Sequence, residues 1–185
     1  RLLGERLGLR HLTAQLLINR GVRDEQEARR YLDPRLSDLR PPEGGLPMAG
    51  FAIAVERLKR AVLDRETVGV FGDYDVDGIT TCALLTDFLN RAGATVAPRV
   101  AHRGDGYGFG KSDAHELAHI GCDLIVTGDC GTSDHETLAL CKQMGIDVIV
   151  VDHHQVPERP PQALALLNPH QPGCAFPFKG LASVG

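Results

Sequence analysis

The sequence predicts an α/β fold, a mostly parallel sheet with helices on both faces, preceded by a short helical N-terminal segment. Three observations predict it. From residue 66 onward, short apolar runs alternate with helical stretches. Those runs (TVGVFG, DLIVTG, DVIVV) are continuously apolar, as strands buried on both faces must be. Each is followed at once by an acidic residue, and ligand sites of open parallel sheets form beyond the carboxyl ends of the strands.

The elements follow in order. Residues 2–32 read as helical, in the pieces LLGERLGL, HLTAQLLINRG and DEQEARRYL. Gly21 is a C-terminal stop for the second piece. Asp24 is an N-cap for the third, with Glu27 completing a capping-box pattern. The segment 40-RPPEGGLP-47 is a linker. It divides a leader, residues 1–45, from a main domain, residues 46–185. Met48 to Leu63 is an amphipathic helix with Ala52, Val55, Leu58 and Val62 on one face. Strands then fall at 67–72, 95–100, 123–128, 147–151 and 163–168, and helices at 79–93, 113–121 and 135–145. Pro98 confines the second strand to the neighbourhood of an edge. Between that strand and the next helix lies a glycine-rich loop, 102-HRGDGYGFGK-111.

Composition narrows the class. The chain has 185 residues, 43% apolar and 5% aromatic, so its core is aliphatic. No run of 18 apolar residues is present to span a membrane, and RLLGERLGLR is too charged for a secretory signal. The five cysteines are scattered, with no C-x-x-C pair, which argues against a disulfide framework or structural zinc and for a reduced, cytoplasmic protein. Charge is uneven. Residues 1–65 hold 13 Lys/Arg against 9 Asp/Glu, a balance of +4; residues 66–185 hold 7 against 15, a balance of −8. The acidic part needs compensation, which clustered carboxylates often take from cations.

The acids sit where chemistry is done. Asp73, Asp75 and Asp77 follow the first strand, Asp129 the third, and Asp152, His153 and His154 the fourth. On one sheet edge they converge, and five carboxylates with two imidazoles repel one another unless divalent cations intervene. Hard oxygen donors, some imidazole and no thiolate suit Mn²⁺ or Mg²⁺. Asp75 and Asp77 would serve one ion each and Asp129 would bridge, in the manner of two-metal phosphoester hydrolysis with ions roughly 3.5–4 Å apart. The D-x-D-x-D-G opening also matches a Ca²⁺ loop, but its twelfth position is Leu84, which has no ligand atom. Taken singly, Asp129 reads equally as an N-cap, and the histidines as a loop pair. Cys130 reads as a buried thiol, and His102, His115, His119, His135 and His170 as surface residues.

GDYDVDG, the aspartate of TGDCGTSDHE, and VDHH, in that order, resemble motifs I, II and III of the DHH phosphoesterase superfamily. GDYDVDGIT, RGDGYGFG, the leader 16-LLINRGVRDEQEARRYLDPRLSDLRPPEGGLP-47 and NPHQPGCAFPFKGLASVG are similar to the RecJ-type single-strand-specific exonucleases. This resemblance spans nearly the whole chain. It implies a 5′→3′ exonuclease on single-stranded DNA in recombination and repair, dependent on two Mn²⁺ or Mg²⁺ ions. Single-strand-binding protein and a helicase are the implied protein partners.

Carried onto this sequence, the resemblance makes Asp75, Asp77, Asp129 and His153 metal ligands, with Asp73 a helper. His154 would contact the scissile phosphate, and Asp152 would orient the histidine pair. Arg103, Tyr107 and Lys179 are its candidates for substrate contact. It also places a fourth-motif aspartate, a DHHA1 domain and an OB-type module beyond GLASVG, so the reading is of a fragment with weak metal binding and little or no activity of its own. Two other functions fit the same motifs: a phosphoesterase on short oligonucleotides or cyclic dinucleotides, and an inactive nucleic-acid-binding relative. The wording of motif I and the leader speak against the first, and the intact acids against the second.

Overall fold

The computed structural model describes residues 2–35, 37 and 48–185. The expected linker 40–47 lies outside the described residues. The chain forms two compact units, Arg1–Pro41 and Pro42–Gly185.

The first unit is helical: α1 (Leu2–Leu7), α2 (His11–Asn19) and α3 (Glu25–Leu32). Leu3, Leu17, Val22 and Ala28 form its small core, with Leu7 and Leu9 packed against them. Asp24 caps α3 by accepting the Glu27 amide at 2.8 Å. Glu27 reaches back to the amide of Arg23 at 2.9 Å, one residue before the cap.

The second unit holds α4 (Phe51–Asp64), β1 (Thr67–Gly72), α5 (Val76–Arg91), β2 (Thr95–Val100), α6 (Lys111–Ile120), β3 (Leu124–Gly128), α7 (His135–Gln143), β4 (Asp147–Val151) and β5 (Ala165–Leu167). All strand pairs are parallel, in the order β2-β1-β3-β4-β5. Side chains alternate between faces, as strand geometry requires. Val68, Val70, Leu124, Val126 and Ile149 pack under α4 and α5 with Ala54, Ala61, Cys82 and Leu89. Phe71, Ile125, Val148 and Val150 pack under α6 and α7 with Leu117, Leu138 and Cys141.

Two boundaries differ from the sequence expectation in ways that matter. The helix after β1 begins at Val76, three residues before Ile79, because Asp75 caps it through the amides of Asp77 (2.8 Å) and Gly78 (3.2 Å). The acidic run therefore leads into α5, with Asp77 in its first turn. Gly72 and Gly78 make this seat possible. A Cβ on Gly78 would overlap the Asp73 backbone, and one on Gly72 would overlap the Gly78 carbonyl. The last strand is also shorter than 163–168, since only Ala165–Leu167 pair with β4. Its outer side is occupied by the 48–50 turn, with Gln171 donating to Ala49 O (3.1 Å) and Leu166 O (2.7 Å).

At the opposite, amino-terminal edge of the sheet, Arg57 from α4 is buried. It donates to Asp147 at 2.6 Å and Glu66 at 2.5 Å, tying α4 to the starts of β1 and β4. Burial works against this cation, but bonds to both carboxylates outweigh it and hold the guanidinium pKa above its ordinary value.

Candidate metal centre

The strand order reverses between β1 and β3, so the crevice of a doubly wound sheet opens beyond their carboxyl ends. Register then decides what lines it. Gly72, Gly128, Val151 and Leu167 pair across β1, β3, β4 and β5. The next residue of each strand is Asp73, Asp129, Asp152 and Asn168. Ladder bonds carry on through this row: Asp73 N to Gly128 O (3.1 Å), Asp129 N to Val151 O (2.9 Å) and Asp152 N to Leu167 O (3.0 Å). The polar row is thus one further rung of the sheet, and its backbone is as fixed as the strands.

Asp73 is buried, and its Oδ1 has no hydrogen-bond partner among the described residues. Burial raises its pKa, partly offset by the amides of Tyr74 and Gly108. Asp129 is also buried, at 2% exposure, and stands in the left-handed region at φ 64°. Its pKa is pushed up to about 7, first by burial, then by a shared hydrogen bond with Asp75 and the charges of Asp77 and Asp75. Asp75 is exposed and shifted down, chiefly by the Gly78 amide. A buried carboxyl flanked by carboxylates is costly when charged, and a cation relieves that cost.

The histidines complete the cluster. His153 Nε2 lies 3.1 Å from Asp129 Oδ1 and 3.6 Å from Asp77 Oδ2. His154 Nδ1 lies 2.7 Å from Asp152 Oδ1 and 3.8 Å from Asp129 Oδ1. Burial opposes the His154 imidazolium, but the bond to Asp152 and the surrounding carboxylates outweigh it and raise its pKa. Asp152 is buried, yet hydrogen bonds from Thr132 and His154 hold its pKa below the ordinary value. Its Oδ1 accepts the amides of His153 (2.7 Å) and His154 (3.1 Å), and its Oδ2 the amide of Thr132 (3.1 Å).

Among the described residues, two groups bring ligand atoms within 4.8 Å of one another: Asp73, Asp75 and Asp129, and Asp129, His153 and His154. They share Asp129. Asp77 stands at the margin. Its Oδ2 accepts the Ser183 amide at 2.8 Å and its Oδ1 the Val184 amide at 2.9 Å, while Ser183 Oγ lies 3.5 Å from Asp129 Oδ1. Each oxygen keeps a lone pair, so these bonds orient Asp77 without using it up.

Of the three expected substrate residues, Tyr107 is hydrogen-bonded to residues of the centre. Its hydroxyl donates to Asp129 O (3.1 Å) and meets His154 Nδ1 at 3.0 Å. Asp134 holds its loop in place by accepting the Phe109 amide at 2.8 Å. Gly108, at φ 94°, passes so close to the Asp134 carboxylate that a Cβ would strike it. The Arg103 guanidinium lies over the Tyr74 ring, 5.1 Å from its centroid. Lys179 is engaged by its own chain, donating to Pro169 O (2.7 Å) and Cys174 O (2.9 Å). Cys130 is fully buried, and its thiol turns to Gly128 O at 3.7 Å.

Four residues near the centre escape a reading of the sequence: Thr132, Asp134, Asn168 and Ser183. Only Asn168 carries a usable signal, as a polar residue at the end of an apolar run.

A doubly wound parallel sheet, with carboxylates and imidazoles gathered at its switch point, defines an α/β domain with a candidate divalent-metal crevice. The chain belongs to the DHH family: the description "DHH family, N-terminal domain" matches residues 67–185. It is 34% identical over 184 residues to the single-stranded-DNA-specific exonuclease RecJ of Bacillus subtilis (strain 168), covering 99% of this chain and 23% of that relative. With RecJ of Dickeya dadantii (strain 3937) identity is 40% over 180 residues, covering 94% and 29%. Among solved structures, a manganese-bound exonuclease RecJ superposes with a TM-score of 0.64 at 36% identity, over 69% of this chain and 33% of that one. RecJ of Thermus thermophilus in complex with Mn²⁺ does so at 0.62 and 30% identity, over 88% and 22%. The chain therefore spans 23% to 29% of the length of these two curated relatives.

Proposed function

We propose that this chain is the metal-binding part of a single-stranded-DNA-specific 5′→3′ exonuclease acting in DNA recombination and repair. Residues 1–45 are its helical leader and 46–185 its DHH domain. The observation that carries the reading is the pair of ligand groups sharing Asp129. The relatives' names supply the substrate class, and the resemblance of the motifs supplies the polarity.

The residues present fit two divalent cations, Mn²⁺ or Mg²⁺. Asp73 offers a buried oxygen without a partner, and every other donor is a carboxylate or an imidazole. Asp75, Asp77, Asp129 and His153 would hold the ions with help from Asp73, Asp129 belonging to both. When bound, such ions supply Lewis acidity at the phosphoryl group and activate water. The chain's own residues do the rest. Asp152 accepts a hydrogen bond from Nδ1–H of His154, which leaves Nε2 for a phosphate oxygen and favours the charged ring. Tyr107 braces that ring from the glycine-rich loop. Arg103, laid on Tyr74, offers a guanidinium to the backbone of the strand. Lys179 supports the same surface by tying down the loop from Pro169 to Cys174.

Among the described residues no helix is long and apolar enough to cross a membrane. The free state of the cysteines supports placement in the cytoplasm. Single-strand-binding protein and a helicase are the partners this reading brings with it.

The test is a substrate panel with Mn²⁺, run on the chain extended to the length of its relatives: end-labelled single strands, duplexes, dinucleotides and cyclic dinucleotides. Mononucleotides released from the 5′ end of single strands are the expected products. Preference for dinucleotides over long strands would overturn the exonuclease reading.

A further inference from the structure

Asn168 is wholly buried at the end of β5, on the same rung as Asp129 but with its side chain bonded elsewhere. The orientation of its amide follows from its neighbours. The His170 N–H can only donate, and it lies 2.8 Å from one end of the amide, which is therefore the oxygen. The NH₂ end then has two hydrogens and two acceptors: His154 O at 2.9 Å and Thr132 Oγ1 at 3.2 Å. Both ends of the buried amide are thus satisfied.

Those two acceptors belong to different loops. Thr132 follows β3, and His154 follows β4. Thr132 also donates its amide to Asp152 Oδ2, and Asp152 Oδ1 accepts from His154 through both its amide and Nδ1. Asn168, Thr132, Asp152 and His154 thus close a ring of hydrogen bonds across three strand ends. Within it, Asp152 holds the imidazole and the amide of His154, and Asn168 holds its carbonyl.

We infer that Asn168 is a positioning residue of the metal centre, setting the His153–His154 backbone against Asp129 by joining the loops after β3 and β4. The inference rests on the metal-centre reading of the proposed function. Burying an amide is costly unless its bonds are made, and an apolar side chain would fill this space without that cost. What an apolar residue would not do is bind the two loops to one another. Partners at one remove from a metal typically change affinity or activity by about 10- to 100-fold when removed.

The experiment uses Asn168→Asp, which keeps the volume and the acceptor for His170 N–H and removes the donation to His154 O. Mn²⁺ affinity is measured by calorimetry on the metal-free chain extended to the length of its relatives, and amide hydrogen exchange is followed at Thr132 and His154. The expected result is a folded protein, Mn²⁺ binding weaker by about 10-fold or more, and faster exchange at His154 with the interior of β1 and β3 unchanged. Thr132→Val, which deletes only the hydroxyl acceptor, should move both readouts the same way by less, and Thr132→Ser should restore them. A folded Asn168→Asp protein with wild-type affinity and wild-type exchange at His154 would overturn the inference. If Asn168→Asp does not fold, Thr132→Val decides on the same two readouts. A wild-type chain that binds no Mn²⁺ even when extended to the length of its relatives would overturn the metal-centre reading instead, and exchange at His154 would still decide whether Asn168 holds that backbone.

Discussion

Asp129 Oδ1 lies 3.1 Å from His153 Nε2, although the two residues come from different strand ends and Asp129 holds a left-handed backbone at φ 64°. Aspartate and asparagine tolerate that conformation better than other residues with a side chain. Asp129→Asn should therefore keep the fold, remove one buried charge from beside Asp75 and Asp77, and raise the melting temperature of the metal-free chain. It should also abolish measurable Mn²⁺ binding, because both ligand groups lose their common member. Calorimetry and a thermal melt on the same sample check both halves.

Gly78→Ala tests how α5 places its acids. A Cβ there meets the backbone of Asp73, so the first turn of α5 must move away from β1. Overpacking of this kind costs roughly 1–3 kcal/mol in stability. Mn²⁺ affinity should fall by about 10-fold or more, since Asp75 and Asp77 move with that turn. A melt and a Mn²⁺ titration measure the two effects, and unchanged affinity would contradict the role given to the turn.

Tyr107→Phe removes one hydroxyl and little volume. The lost donation to Asp129 O should cost about 1 kcal/mol of stability. Mn²⁺ binding should persist, because no ligand atom is lost. Turnover on single-stranded DNA should fall by roughly 10-fold as His154 loses its brace, with KM little changed. Steady-state kinetics on the extended chain separate the two parameters.

Arg57→Ala probes the far edge of the sheet. It leaves Glu66 and Asp147 without their cation, and breaking a buried pair costs roughly 3–5 kcal/mol. Part of that is recovered because Asp147 is partly exposed and Arg60 lies 3.3 Å from it. The melting temperature should drop sharply while Mn²⁺ affinity in the folded protein stays at the wild-type value. Loss of both would tie this edge to the metal centre.

Much of the fold and of the site is legible in the sequence because its signals are local. Apolar runs followed by an acid locate β1, β3 and β4, and with them Asp73, Asp129 and Asp152. Asn168 holds the same place after β5, but it is not an acid, and the expected strand runs through it to residue 168. The acidic run after β1 reads as a loop because its polarity hides the helix that Asp75 caps. For Lys179, a cation in a glycine- and proline-rich stretch carries no sign of the carbonyls it will find.

The sequence by itself determined the alternation of strand and helix, the aliphatic core, and which acids and histidines stand at strand ends. Each is a matter of periodicity or adjacency over a few residues. Only the tertiary structure decided that those ends lie in one register, so that Asp73, Asp129, Asp152 and Asn168 form a single rung. It alone brought the amides of Ser183 and Val184 onto Asp77, across 106 and 107 residues of chain. Contacts of that span leave no pattern in neighbouring residues. They exist because parallel strands pair only through crossovers, and the pairing carries remote segments to the same edge.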